Sequence, residues 1–402
     1  MGLTIFAIAI SVMLILAVDK IRHGAKHSFA NTISGTDLIV GARSGSVQLL
    51  LYSVFRIGNA TNNIRWNSYR SIAKKDEIKW TIPISLGDSH KGFRVMGTNE
   101  DYFRYYHYGK KKGLRFITGG PFNDVFDTVL GAEVAKKLGY RLGDKIVVAH
   151  GIGVGGFTKH DDKPFVVSGI IARTGTPIDR TVHVKLEGIT AIHMNWQDGS
   201  RIPGMTISGD KLRKMDLTPK SITAFMVGLK SRLNSFQMIR EINTFRGEPL
   251  LAILPGIALH ELWSIMSTAE EALHAITILV VVGGLLGMVT MLISSLNERR
   301  REMAILRAVG AHPVHIGTML LAEALLIAGL ACFVGFFFFY IGMLFLQPII
   351  EFRLGLFIPV NTPMIRELII LGYIMISGTV AGLFPAILAY RKSVVDGMAV
   401  KN

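Results

Sequence analysis

The chain has 402 residues, of which 50% are hydrophobic and only 18% are charged, and its mean hydropathy is +0.40. These values are too apolar for an ordinary soluble protein. The single cysteine, Cys332, excludes a disulfide-rich secreted scaffold. The formal net charge of +15 favours anionic partners, but no nucleic-acid-binding module accompanies it, so we expect no nucleic-acid partner.

The excess positive charge lies in one segment of the chain. Residues 19–260 contain about 35 Lys and Arg against about 20 Asp and Glu, whereas the rest of the chain has about 9 of each. This distribution favours a generally basic, solvated surface. Docking on anionic lipid or on an acidic partner is the alternative.

Apolar stretches of about 20 residues can cross a bilayer as helices. In chain order, the predicted spans are 1–18, 275–294, 315–346 and 367–390. Residues 19–260 are of mixed polarity and contain no comparable run. The sequence therefore predicts a membrane protein with four transmembrane α-helices. A large extracytoplasmic α+β domain over 19–260 lies between the first and second of them, and a membrane domain occupies 261–402.

Local patterns in the polar segment predict its α+β character. Runs rich in β-branched residues predict strands at 145–148, 164–167 and 181–186. In the last of these, His183 and Lys185 alternate with apolar residues, as in a half-buried strand. Helical spacing predicts helices over 123–138 and 235–245.

The apolar segment Val47–Phe55 is charge-free but too short to span a bilayer. Two interpretations remain open. The segment lies against the membrane surface or lines an inter-subunit groove that accepts a lipid-like ligand, or it is buried inside the polar domain.

Lys and Arg in the short flanks of the spans predict the orientation. The link after the second span and the C-terminal tail carry seven such residues, whereas the link between the third and fourth spans carries two. The count places the link after the second span and the C-terminal tail in the cytoplasm, and residues 19–260 outside. The flanks of the first span disagree, because Lys20 and Arg22 follow it and no basic residue precedes it. We therefore expect the true start to lie upstream of Met1.

A charged segment over 297–311 directly follows the second span. Its residues are strong helix formers, and Gly310 is placed to cap the C-terminal end. Met303, Leu306 and Val309 fall near one stripe of the helix. Such a helix can dock into a soluble partner and carry force from it, or it can be an anchor that touches only lipid headgroups.

The same segment carries a family resemblance. Arg301–Ala311 looks like the signature of FtsX/MacB-like permeases of ABC transporters. In the third span, Glu323 matches the family's membrane glutamate, and Gly329 and Gly335 fall in its glycine positions. Pro385–Arg391 is similar to the family's terminal segment. Val129–Ala135, Gly143–Asp144 and Phe165–Ile170 resemble its periplasmic core.

The resemblance implies a permease subunit in the bacterial inner membrane that forms a homodimer and pairs with a cytoplasmic ABC ATPase. A periplasmic adaptor or binding protein is a further possible partner. The resemblance assigns ATPase coupling to the segment after the second helix, and the residues singled out there are Glu298, Arg299, Arg300, Arg301, Glu302, Leu306, Arg307 and Gly310. No Gly-x-x-x-x-Gly-Lys-Ser/Thr loop occurs, so we expect ATP and Mg²⁺ to bind the partner and this chain to be non-catalytic, without a cofactor.

Two features of the spans have open interpretations. Gly283 and Gly287 allow close helix approach, either in a dimer or inside one subunit. Glu323 lies about 12 Å into the third span, at about 1.5 Å per residue. A carboxyl group at that depth indicates either a functional site or a structural hydrogen bond.

Two alternatives belong to other functional classes. In the first, an FtsX-like signalling or scaffold subunit controls a periplasmic enzyme without transport. In the second, His150, His160, Asp161 and Asp162 form a metal site, although adjacent residues on one loop rarely all face one ion. We expect no metal there, and export or extraction of a substrate stays the leading hypothesis.

Overall fold

The computed structural model describes residues 2–151, 161–194, 196–197, 200–201, 207–354 and 365–391. The chain divides into two compact units. The helical unit contains the chain up to Gly24, Met266–Arg353 and the last long helix. The mixed unit contains Ala25–Ile265.

The helices in the described residues are α1 (Gly2–Thr32), α2 (Ser46–Leu50), α3 (Trp66–Ala73), α4 (Asp101–Tyr105), α5 (Ala132–Leu138), α6 (Leu186–His193), α7 (Gly209–Leu212), α8 (Ser235–Asn243), α9 (Pro255–Glu298), α10 (Arg300–Ala308), α11 (Pro313–Leu354) and α12 (Ile365–Arg391). A π-helical segment, Leu51–Phe55, continues α2, and short 3-10 helices occur at Pro177–Arg180 and Arg232–Asn234.

The strands are β1 (Leu38–Ala42), β2 (Ile64–Arg65), β3 (Ile78–His90), β4 (Phe93–Thr98), β5 (His107–Tyr108), β6 (Lys112–Gly113), β7 (Phe116–Gly119), β8 (Asp127–Leu130), β9 (Lys145–Ile146), β10 (Ala149–His150), β11 (Phe165–Ile171), β12 (Thr181–Lys185), β13 (Trp196–Gln197), β14 (Ser200–Arg201), β15 (Ser221–Ile222), β16 (Ala224–Leu229) and β17 (Leu250–Ile253).

The mixed unit is built on one large sheet. In the described residues its strands run in the order β17-β1-β16-β3-β4-β12-β8-β11-β7, while β10 also pairs with β3 and β9 with β11. The β4/β12 and β8/β11 pairs are parallel, and the other pairs along this order are antiparallel. Strand β16 is buried along its whole length, so both faces of the sheet are covered there.

The predicted strand over 181–186 corresponds to β12, but His183 does not face solvent as alternation suggests. It is fully buried. Strand β12 lies between β4 and β8 and has layers on both faces, so its polar position is also enclosed. The imidazole packs beside Tyr102, with ring centroids 5.3 Å apart.

The predicted helix over 123–138 is wrong in its first half. The Asp127 carboxylate accepts hydrogen bonds from the backbone N–H groups of Asn123 (2.7 Å) and Asp124 (2.8 Å), which closes a turn instead of a helix. Strand β8 follows, and only the last seven residues form α5. The predicted helix over 235–245 corresponds to α8.

The apolar segment Val47–Phe55 forms α2 and the π-helical segment. Leu49, Leu50, Tyr52 and Phe55 are buried in the core of the mixed unit. Of the two interpretations of this segment, burial inside the domain is therefore the one that the structure supports.

In the described residues, α1, α9, α11 and α12 are the helices long and apolar enough to cross a membrane. Two of them extend well beyond the predicted spans, because α1 continues past residue 18 and α9 begins before residue 275. At about 1.5 Å per residue, α9 is about 66 Å long, roughly twice the hydrocarbon thickness of a bilayer. Hydropathy therefore identified the apolar part of each helix but not where the helix begins and ends.

The four long helices share one apolar core. It is formed by side chains from all of them, including Val12, Leu16, Met288, Leu292, Ala324, Ile327 and Ile374. Glycines permit the closest approaches, since a Cβ atom at Gly335 would lie 2.6 Å from the Ala9 carbonyl oxygen, and one at Gly378 would lie 2.8 Å from the Ala328 Cβ.

Candidate functional site

The segment over 297–311 forms a separate short helix between two long ones. The regular geometry of α9 ends at Glu298, Arg299 lies outside the helical range, and α10 then begins at Arg300. At the other end, Gly310 has a φ of 103°. Its N–H donates to the Arg307 carbonyl (3.1 Å), and the Ala311 N–H donates to the Leu306 carbonyl (2.9 Å). This pair of bonds is a Schellman cap, which fixes the end of α10.

Helix α10 packs on the helical unit by one narrow side. Met303 and Ala304 are buried in a cluster with Leu296, Ile316 and Ala389. The side chains of Ile305, Leu306 and Val309 are 63%, 44% and 84% exposed.

The stripe predicted for Met303, Leu306 and Val309 is therefore not a single face, because Met303 points inward and the other two outward. Each step of three residues falls about 60° short of a full helical turn, so two steps carry Val309 away from the buried side.

Charged residues lie around the exposed apolar end of α10, which is formed by Ile305, Leu306 and Val309. Glu298, Arg299, Arg301 and Glu302 are exposed, and Arg307 is half-buried. Arg300 begins α10. The structure thus brings the predicted coupling residues together on α10 and at its two ends. Their role toward an ATPase stays a prediction.

Glu323 lies on α11 and is half-buried. Its Oε1 atom is buried, and no residue in the described part of the chain forms a hydrogen bond with it. Within the described residues, the structural hydrogen bond that the sequence suggests is therefore not formed by this oxygen.

The glycines proposed for helix packing, Gly283 and Gly287, are exposed on α9. A Cβ atom at either position would meet nothing within 4 Å, whereas one at Gly284 would lie 3.2 Å from Ile8. Close packing inside the subunit therefore uses other glycines, and the face with Gly283 and Gly287 is left open.

An ionic network with a buried ion pair at its centre was missed by the sequence analysis. The Lys20 ammonium group of α1 lies 2.7 Å from Oε1 of Glu367, on α12. The other oxygen of Glu367 accepts a hydrogen bond from the Tyr340 hydroxyl of α11 (2.6 Å). The side chains of Lys20 and Glu367 are 9% and 3% exposed, so the pair is almost completely withdrawn from solvent.

The network continues on both sides of this pair. Asp19 Oδ1 lies 3.1 Å from Arg366 Nε. Arg22 Nε lies 2.7 Å from a Glu270 carboxylate oxygen, and Arg22 Nη1 lies 2.9 Å from His274 Nε2. These contacts connect α1 to α9 and α12. The sequence signal for them is the placement of opposite charges at the edges of apolar spans, where a buried charge needs a partner.

The residues weighed for a metal site are only partly covered by the structure. In the part of the chain that the structure describes, no group of three or more His, Cys, Asp or Glu side chains could hold a metal ion. The backbone of His150 belongs to β10, which pairs with β3, and Asp162 lies 3.7 Å from the Lys163 ammonium group. Asp161 is exposed, and His160 lies outside the described residues.

Comparison with known proteins gives the family. Residues 1–242 match the family model for the MacB-like periplasmic core domain, and residues 275–394 match that for the FtsX-like permease C-terminal domain. This chain is an FtsX/MacB-like permease. The resemblance in its motifs is thereby confirmed. The permease is a multi-pass protein of the inner membrane, with a periplasmic domain, and its family works with an ABC ATPase.

One relative of the permease is the macrolide export ATP-binding/permease protein MacB of Nitrobacter winogradskyi. The two are 23% identical over 423 residues, which cover 99% of this chain and 57% of the relative. The permease thus spans little more than half the length of that protein.

Two solved structures are also similar. The periplasmic region of MacB from Actinobacillus actinomycetemcomitans matches with a TM-score of 0.36 and 12% identity, over 57% of this chain and 94% of that one. The extracellular domain of the noncanonic ABC-type transporter YknZ from Gram-positive bacteria matches with a TM-score of 0.32 and 13% identity, over 54% and 99%.

Proposed function

We propose that this permease is the transmembrane subunit of a two-component ABC transporter. A separate cytoplasmic ATPase binds α10 and drives movement of the periplasmic domain, which exports or extracts a substrate. ATP and Mg²⁺ bind that ATPase, because the sequence of this chain has no phosphate-binding loop of the Gly-x-x-x-x-Gly-Lys-Ser/Thr type.

The exposed apolar end of α10 is the observation that carries this proposal. Ile305, Leu306 and Val309 are exposed directly beside charged residues, and the opposite side of the helix is fixed by Met303 and Ala304. Apolar groups surrounded by charges are typical of the centre and rim of a protein–protein interface.

The topology of the proposal follows from the basic flanks of the spans. The link that contains α10 and the C-terminal tail face the cytoplasm, and the domain between the first and second transmembrane helices faces the periplasm. Docking of the ATPase and movement of the periplasmic domain then occur on opposite sides of the membrane.

Co-purification tests the proposed ATPase partner. The permease is co-expressed with a separately encoded ABC ATPase from the same genome and purified in detergent through a tag on the permease. We expect the ATPase to co-purify and its hydrolysis rate to change in the complex. An ATPase that elutes alone at physiological salt would contradict the proposal.

A deletion strain distinguishes transport from signalling. Accumulation of an export substrate in that strain supports transport, whereas altered cell-wall hydrolysis supports the signalling or scaffold alternative.

The open glycine face of α9 supports a homodimer. Cys332 is the only cysteine and is buried, so a Cys332→Ser background allows cross-linking at a chosen site. We expect Gly287→Cys to form a disulfide-linked dimer in oxidised membranes, because Cα atoms within about 7 Å can be bridged. Leu326→Cys, which is 66% exposed on α11, is the control. Equal cross-linking at the two positions would contradict this interface.

A further inference from the structure

The mixed unit contains a surface pocket with a volume of about 630 Å³. One wall is the loop Gly58–Asn63, which connects the π-helical segment to β2. The rest of the lining is formed by Leu86 and Gly87 of β3, Arg94 of β4, Gly151, which follows β10, and Thr223, next to β16. The lining is therefore rich in amide, hydroxyl and backbone groups.

Arg94 is the charged residue in this lining, and no described carboxylate lines the pocket. Its guanidinium donates to the Asn59 side-chain oxygen (3.1 Å) and the Gly58 carbonyl (2.7 Å). A guanidinium has five N–H groups, so these two bonds orient Arg94 and leave further donors for a ligand.

A second, half-buried arginine, Arg56, increases the positive charge near this site. Arg56 is held in the left-handed region, with a φ of 62°, and donates to the Ser53 carbonyl and to the sulfur of Met96. Met96 lies two residues after Arg94 in β4, so their side chains share one face of the strand. Burial lowers the pKa of Arg94, and the Arg56 charge lowers it further, which places the two cations within electrostatic reach.

No negative charge compensates Arg56 among the described residues. In the described structure, Arg56 Nε and His183 Nε2 are buried without a hydrogen-bond partner. The Tyr102 hydroxyl lies beside the Arg56 guanidinium. Burial raises the pKa of Tyr102 to about 12 and lowers that of His183 to about 3, so both are neutral near pH 7. Cations withdrawn from solvent are normally paired with a carboxylate, so the half-buried Arg56 adds positive potential at the neighbouring Arg94.

Backbone groups of the pocket loop add further donors. In the described structure, none of the six backbone N–H groups from Gly58 to Asn63 donates a hydrogen bond to a protein group. Successive free N–H groups beside a guanidinium are a common arrangement for binding phosphate.

We propose that this pocket binds the phosphate ester of a small polyol. The phosphate lies against Arg94 and the loop N–H groups, and the hydroxyls contact the side chains of Thr61, Asn62 and Asn63. The pocket is far larger than inorganic phosphate requires, which leaves room for the polyol. The ester can be a free metabolite or the headgroup of a phospholipid. The proposal does not depend on ATPase coupling.

Binding to the purified full-length protein in a phosphate-free detergent tests this site. Glycerol 3-phosphate, inorganic phosphate and glycerol are titrated and followed by calorimetry. We expect glycerol 3-phosphate to bind, Arg94→Gln to weaken it at least tenfold, and Asn62→Ala to weaken it severalfold. Arg240→Gln removes an exposed arginine of α8, which lies outside the pocket lining, and should leave the affinity unchanged. The melting temperature of each variant without ligand checks its folding.

Each outcome decides the proposal. Equal affinity for inorganic phosphate and glycerol 3-phosphate would overturn the polyol part, and binding that survives Arg94→Gln, or no binding of any phosphate compound, would overturn the site. Nanodiscs of phosphatidylglycerol and phosphatidylcholine distinguish the source. If only phosphatidylglycerol stabilises the wild-type protein, and not Arg94→Gln, the ligand is a lipid headgroup.

Discussion

Replacing Leu306 and Val309 by aspartate should abolish co-purification of the ATPase while the permease still inserts into the membrane. Leu306 is exposed on α10 and Val309 is exposed directly after it, so aspartate at these positions leaves no buried charge in the free permease. In a docked complex, the same carboxylates would be desolvated inside an apolar contact. Interface hot spots contribute about 2 kcal/mol or more each, so the pair should weaken binding by about 4 kcal/mol, roughly a thousandfold in Kd.

Two other aspartate variants, one on the surface outside α10 and one on its buried side, serve as controls. Val314→Asp introduces one aspartate at an exposed residue in the first turn of α11 and should leave co-purification intact. Met303→Asp buries a charge and should reduce the amount of folded permease instead of only the amount of complex. If the Leu306 and Val309 variant retains the ATPase in pull-downs at 0.15 M salt, then α10 is not the docking element.

We expect charge on the same helix to contribute a second, salt-dependent part of the proposed interaction. We expect Glu302→Gln with Arg307→Gln to lower the association rate of the ATPase more than its dissociation rate, because charges at an interface rim mainly steer the encounter. Surface plasmon resonance at two salt concentrations separates this effect from that of the apolar residues. A change confined to the dissociation rate would place these charges inside the contact.

Much of α10 could be predicted from local sequence, and the reason is physical. Helix propensity and the glycine cap depend on neighbouring residues, so Gly310 was correctly placed at the end of the helix. Which side chains face outward depends on packing against Ile316 and Ala389, from two other helices. Local periodicity contains no information on those partners, and the stripe through Met303 was therefore assigned wrongly.

The same limit explains the other differences between sequence and structure. The alternation at His183 was real, but it predicts exposure only if one face of the sheet is open to solvent. Lys20 and Glu367 are 347 positions apart, and each alone resembles an ordinary charge at the edge of a span. Their pairing appears only when α1 and α12 pack together.

The pairing of Lys20 with Glu367 should produce strong coupling in a double-mutant cycle. Lys20→Met leaves a carboxylate that is almost fully buried, and Glu367→Gln leaves an ammonium group without its counter-charge. Breaking a buried pair in this way costs about 3–5 kcal/mol, whereas replacing both partners is often nearly neutral. We expect each single variant to lower the thermal stability of the purified permease and the double variant to recover most of the loss.

A partly exposed ion pair with a similar distance between nitrogen and oxygen provides the control for this cycle. Lys75 and Glu241, in the mixed unit, lie 2.6 Å apart, but their side chains are 34% and 35% exposed. Exposed pairs contribute about 0–1 kcal/mol, so Lys75→Met and Glu241→Gln should show little coupling. Because the distances nearly match, any difference between the cycles measures burial. Equal coupling in both cycles would mean that the Lys20–Glu367 pair is solvated in the functional protein and does not hold α1 against α12.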